Sequence, residues 1–161
     1  MLKRNIHPIL LGGAAAGVLD ILAAFALRGA YGTPPTRLLQ GIASGLLGPS
    51  AFEGGAATAA LGLALHFLIA FVAAAVYYAA SRWWTVLARR PIICGLAYGV
   101  LVHVIMNAVV LPLSRVNFRP PPWHFVAAMV VIHMLFVGLP IALTVHNQAS
   151  ARPALASAAG E

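Results

Sequence analysis

The chain has 161 residues, of which 61% are hydrophobic and 8% are charged. Soluble domains carry roughly 25% charged residues, so a soluble fold of this size could hardly cover its surface with polar groups. The composition therefore predicts an all-α integral membrane protein that is embedded in, and has as its partner, the lipid bilayer.

The net charge is +7, from ten Lys and Arg residues against three acidic residues. The basic residues occur one to three at a time between apolar stretches and form no continuous patch, which argues against nucleic acid as a partner. We interpret them as anchors that hold helix ends at anionic headgroups.

The first apolar stretch predicts a membrane span over residues 9–27, interrupted only by Asp20. Gly13 and Gly17 form a GxxxG pattern within it. Small residues at this spacing let two helices approach closely in lipid, where hydrophobicity itself supplies no attraction between helices. We therefore expect Gly13 and Gly17 to lie at a helix–helix contact.

Residues 28–55 form a less regular connection. Pro34 and Pro35 prevent the first helix from continuing, because proline lacks the backbone N–H and its ring clashes in a helix interior. The following run LLQGIASGLLG is apolar but too short to span a bilayer. It predicts a short re-entrant or interfacial half-helix over residues 37–47.

Three further spans are predicted over residues 57–80, 92–112 and 124–145, which completes an antiparallel bundle of four transmembrane helices. A single membrane domain then covers residues 1–147, followed by an Ala/Ser-rich tail at 148–161 that we expect to be disordered. Basic residues are more numerous on the side that carries both termini. The positive-inside rule therefore predicts that both termini face the cytoplasm.

The most informative pattern is a layer of polar residues at one depth. Counted at about 1.5 Å per residue, each span places one ionisable group roughly 12–14 Å below the outer surface. Asn107 lies one turn nearer the outside. Each such group costs about 2.5–3.5 kcal/mol to insert, so we expect them to face the bundle interior and pair with each other. The predicted cluster comprises Asp20, His66, His103, Asn107 and His133.

Glycines accompany two of the histidines. Gly62 and Gly99 each stand four residues before a histidine, which leaves room beside the imidazole for a partner helix or a bound group. Gly95 belongs to the same set of predicted packing glycines.

Three interpretations of the cluster remain open. It could be a structural hydrogen-bond network that fixes the register of the helices. It could hold haem b or a transition metal, with His66, His103 and His133 as the candidate ligands of a membrane redox subunit. It could also form a proton or solute path in a small transporter. No recognised catalytic motif occurs, which favours a non-enzymatic role. Partners besides lipid are left open between a homo-oligomer and a larger membrane complex.

Several stretches resemble the YagU-like family of small bacterial inner-membrane proteins, whose function is uncharacterised. They are LHFLIAFVAAAVYYAA at 65–80, GLAYGVLVHVIMNAVVLPL at 95–113, the histidine at His133, and Pro34-Pro35 with Arg37. The resemblance implies a multi-pass protein of the bacterial inner membrane and supplies no activity. It also implies histidines at the positions of His66 and His133. In the third span the family histidine corresponds to Asn107 and an amide to His103, while Asp20 has no clear counterpart.

Overall fold

The computed structural model describes residues 6–117 and 121–158, and within them every regular element is helical. Four helices are long and apolar enough to cross a membrane, which confirms the all-α four-helix bundle. They are the first span (His7–Ala30), the second span (Gly55–Trp83), the third span (Pro91–Leu113) and the fourth span (Trp123–Ser150). A half-helix at Pro35–Leu47 and a 3₁₀ turn at Gly48–Phe52 connect the first two spans.

Prolines mark the beginnings of these helices. Pro8, Pro35 and Pro91 lie in the first turn of their helices, where a missing N–H costs nothing. Pro122 directly precedes the fourth span. The half-helix ends at Gly48, whose φ of +71° suits glycine and few other residues.

Contacts at both ends of the bundle define its antiparallel arrangement. The Arg28 guanidinium, near the end of the first span, lies 5.2 Å from the centre of the Phe125 ring at the start of the fourth. At the opposite end, His146 Nδ1 of the fourth span lies 2.7 Å from the carbonyl oxygen of Ala88, in the loop between the second and third spans. The chain therefore crosses the bundle four times in alternating directions.

The fourth helix runs further than the sequence predicts. It continues as a helix from Leu139 to Ala158, whereas we expected a disordered tail from residue 148. Alanine has the highest intrinsic helix propensity, so an Ala-rich continuation readily extends a helix that packing has already started. Positions 159–161 of that tail lie outside the described residues.

The half-helix packs against the beginning of the second span. Gln40 donates a hydrogen bond from Nε2 to the Gly55 carbonyl at 3.1 Å. About two turns later, Gly62 lies directly against the Leu39 carbonyl, at a place where a Cβ atom would overlap the half-helix backbone. The chain after the third span is held there too, because the Arg115 N–H bonds to the Gly45 carbonyl at 2.9 Å.

Glycines also set the distance between the long helices. Gly13 and Gly17 receive the rings of Phe71 and Phe67 from the second span. Gly95 and Gly99 of the third span lie against the backbone of the fourth span around His133 and Gly138. All five glycines that the sequence singled out thus lie at close approaches between helices.

The bundle keeps many large apolar side chains on its outer surface. Residues on all four spans remain about half exposed, among them Leu22, Leu68, Val104 and Val131. The buried core is small and lies towards the end that carries Trp83 and Ser150, around Tyr77, Ile141 and Ala142. Outward apolar side chains with a small core are what a lipid environment requires.

The close contact at Gly99 generates a stability prediction. A methyl group there would overlap the His133 carbonyl and the Met134 Cα atom, which are backbone atoms that cannot turn aside. We expect Gly99→Ala to lower the free energy of unfolding by about 1–3 kcal/mol, measured by denaturation in detergent. Gly41→Ala is the matched control, because its Cβ would meet open space. It should be neutral or stabilising by up to about 1 kcal/mol. Equal effects of the two substitutions would contradict this account of helix packing.

Candidate functional site

Asp20 is the only acidic residue within the four spans, and the structure places it beside a histidine. Its Oδ1 atom lies 4.0 Å from His133 Nδ1, and the two side chains are 14% and 12% exposed. This separation allows electrostatic attraction but is too long for a direct hydrogen bond. Oδ1 is buried and has no hydrogen-bond partner.

His133 is oriented by the backbone of its own helix. Its Nδ1 atom lies 2.8 Å from the Met129 carbonyl oxygen, one turn earlier. A carbonyl oxygen only accepts hydrogen bonds, so Nδ1 must carry the proton in this contact. In the neutral ring Nε2 then keeps its lone pair, and this nitrogen is the one available to take up a further proton.

His103 of the third span packs edge-to-face against His133, with ring centres 5.0 Å apart and planes at 80°. It is 7% exposed, which makes it the most buried residue of the cluster. Two imidazoles and one carboxylate from three different spans therefore share one small volume.

Asn107 fixes the orientation of His103. Its Nδ2 atom donates to the His103 carbonyl at 2.9 Å and lies 3.3 Å from His103 Nε2. Because the amide nitrogen is a donor, Nε2 accepts and the ring proton lies on Nδ1. That Nδ1 atom is buried without a hydrogen-bond partner.

His66 takes a separate position beside the first span. Its Nε2 atom lies 2.8 Å from the Gly17 carbonyl, so Nε2 carries the proton and donates it there. The ring also meets the Phe67 ring edge-on at 5.5 Å. Gly17 and Asp20 are three residues apart on one helix face, so His66 is a neighbour of the Asp20–His133–His103–Asn107 group along the first span.

All four ionisable residues lie at similar depth. With the observed helix ends, Asp20, His66, His103 and His133 each stand about ten residues from the end of the bundle that carries the half-helix. At 1.5 Å per residue this corresponds to roughly 15 Å, the middle of a ~30 Å hydrocarbon core.

Two π-helical segments occur at the centre of this layer. One covers Met106–Val110, just after His103, and the other covers His133–Gly138. Each ends two residues before a proline, Pro112 or Pro140. Proline lacks the N–H that an α-helix needs, and its ring crowds the carbonyl four residues earlier, which here lies inside the π-helical segment. A wider turn relieves that crowding, and such π-bulges are frequent at functional sites.

A metal site does not fit this geometry. Across residues 6–117 and 121–158, no three His, Cys, Asp or Glu side chains are grouped so that they could hold a metal ion. The ring nitrogens of His66 and His133 that face carbonyl oxygens carry protons and offer no lone pair in that direction. The same orientation speaks against His66 as a ligand to haem iron, because its protonated Nε2 is committed to Gly17.

Every side chain of the Asp20–His133–His103–Asn107 group was predicted from the sequence, but the backbone groups that hold these side chains were not. The carbonyls of Met129 and Gly17, the close approach of Gly138 and the two π-helical segments were not anticipated. Pro112 and Pro140 were the available signal, since each follows a polar residue of the layer by five to seven positions.

Comparisons with known proteins add no identity. No protein family model, no curated protein and no solved structure matches the chain.

The hydrogen bonds generate a prediction about tautomers. When neutral, His103 and His133 should carry their ring proton on Nδ1, and His66 should carry it on Nε2. Nitrogen-15 chemical shifts of selectively labelled histidines in detergent or lipid distinguish these forms. Asn107→Leu should remove the preference of His103 and leave the other two unchanged. A dominant Nε2–H form of His103 in the unsubstituted protein would refute the assigned role of Asn107.

Proposed function

We propose that this chain is a multi-pass protein of the bacterial inner membrane, with both termini in the cytoplasm, in which Asp20, His133 and His103 form a proton pathway. The resemblance of its motifs to YagU-like proteins supports the location. The excess of basic residues on the side of the termini supports the orientation. The observation that most directly supports the pathway is that two buried polar atoms, Asp20 Oδ1 and His103 Nδ1, have no hydrogen-bond partner.

The two unsatisfied atoms are of opposite kinds. A purely structural network would satisfy its own members, because an unpaired polar group in the hydrocarbon core costs several kcal/mol. When Asp20 is ionised, its Oδ1 atom can only accept a hydrogen bond, whereas the Nδ1–H group of His103 can only donate one. A water molecule does both, and buried waters are commonly held by such groups.

Water completes a line of exchangeable protons. It would accept from His103, donate to Asp20, and adjoin the His133 ring that lies between them. Chains of Asp, Glu and His residues within membrane spans serve as proton relays, and imidazole changes its charge near neutral pH. The group therefore has the donors, the acceptors and the titratable rings that proton transfer requires.

The direct test is proton flux in liposomes. The purified full chain is reconstituted with a pH-sensitive dye inside, and a potassium gradient with valinomycin sets the membrane potential. We expect flux above that of protein-free liposomes, and we expect Asp20→Asn to reduce it by about 10²-fold, the lower end of what a positioned proton-transfer group contributes. Glu53→Gln, which changes an exposed acid at the bundle end, should retain the flux. Absence of flux above protein-free liposomes would overturn the proposal.

The free energy of unfolding can distinguish a carboxylate that serves function from one that holds the bundle together. Asp20 brings either a charge or an extra proton to mid-membrane, and only a 4.0 Å contact with His133 offsets that cost. We therefore expect Asp20→Asn, which keeps the shape and removes the ionisable group, to raise the free energy of unfolding by about 1 kcal/mol or more. Denaturation in detergent measures the change, with Glu53→Gln as the neutral control. A loss of stability would show that the carboxylate holds the bundle together.

A further inference from the structure

A second polar site lies at the opposite end of the second span, away from the proposed proton pathway. A cavity of about 290 Å³ opens there between the second span, the following loop and the fourth span. Its lining includes Tyr78, Ser81, Arg82, Arg89 and Gln148. Ligand pockets usually enclose roughly 300–1,000 Å³, so this volume suits a small polar group and is too small for a whole lipid.

The two arginines give the cavity an unbalanced positive charge. Arg82 and Arg89 are both exposed, and neither forms an ion pair within the described residues. The acids that the structure describes are distant: Asp20 lies at mid-membrane and Glu53 lies at the other end of the second span. An anion at this cavity therefore has to come from outside the described part of the protein.

Gln148 supplies an independent observation. Its Nε2 atom is buried and has no hydrogen-bond partner, although its residue lines the cavity. An amide N–H₂ donates two hydrogen bonds, and burying it without an acceptor is costly. A ligand with several acceptor oxygens would satisfy this donor together with the two guanidinium groups. Phosphate has that chemistry, and arginine recognises it with paired N–H donors.

The position along the bundle indicates the source of the phosphate. Trp83 and Trp84 directly follow Arg82 and are 85% and 67% exposed. Tryptophan is enriched at the level of lipid headgroups, so the cavity lies at that level. Deeper along the same two spans, side chains such as Val76 and Leu143 are exposed and apolar, which provides a surface for acyl chains.

We propose that this cavity binds the phosphate headgroup of an anionic phospholipid, held by Arg82, Arg89 and Gln148. Basic pockets between transmembrane helices are suited to anionic headgroups. Lipid is favoured over free phosphate because the cavity adjoins an apolar helix surface at headgroup depth. The site shares no side chain with the Asp20–His133–His103 pathway and does not depend on it.

The test is a lipid titration of the full chain in a non-ionic detergent, followed by native mass spectrometry and by the thermal unfolding midpoint. Dioleoyl-phosphatidylglycerol should bind and raise the midpoint, and dioleoyl-phosphatidylcholine should do so much less. Arg82→Gln with Arg89→Gln should weaken phosphatidylglycerol binding by about fivefold for each arginine. Gln148→Leu, which preserves volume and removes the donor, should weaken it as well.

The matched control is Arg28→Gln with Arg115→Gln, which removes the same charge from exposed positions at the opposite end of the bundle. It should leave phosphatidylglycerol binding within about twofold of the unsubstituted protein. If the control lost as much phosphatidylglycerol binding as the Arg82/Arg89 variant, overall charge would explain the effect and the proposed site would be wrong. Stabilisation by millimolar inorganic phosphate equal to that by the lipid would overturn the assignment to a phospholipid.

Discussion

The close approach of the third and fourth spans determines what the centre of this bundle can do. Gly95, Gly99 and Gly138 bring the two backbones into direct contact, and any side chain at Gly99 would overlap the His133 carbonyl. The two imidazoles can lie 5.0 Å apart only because the helices that carry them are so close. In lipid, an apolar side chain is as stable against acyl chains as against another helix. Small residues that allow close contact therefore decide which helix faces meet.

The π-helical segments act on the same interface. An α-helix places residues four positions apart on one face, but an inserted wider turn rotates every later residue around the axis. Met106–Val110 and His133–Gly138 both insert such turns at the depth of the polar layer. The prolines that follow them explain why the turns occur there. In the third and fourth spans, a proline and the π-helical segment before it thus rotate the second half of the helix relative to the first half.

The sequence predicted depth well and rotation poorly, for a physical reason. Hydropathy reports the position of a residue along the membrane normal, and counting from helix ends found Asp20, His66, His103 and His133 at one level. Which of them meet depends on rotation about each helix axis, which the π-helical segments change. His66 illustrates the limit, because it shares the depth and turns to the Gly17 carbonyl. Backbone carbonyls leave no mark in composition, so partners such as Met129 could not be predicted.

Charge balance gives the layer its chemical character. Asp20 is the one carboxylate within the spans, and Lys or Arg occurs only near span ends, so no fixed cation balances it at mid-membrane. A net charge at that depth is costly, and neutrality therefore requires one proton beyond those of the two neutral rings. Three atoms can hold it: an Asp20 oxygen, His133 Nε2, or His103 Nε2 with loss of the contact from Asn107. The proton therefore has more than one position available within the cluster. A proton with alternative positions in a buried layer is the minimum that a proton pathway needs, and a fully satisfied structural network would not provide it.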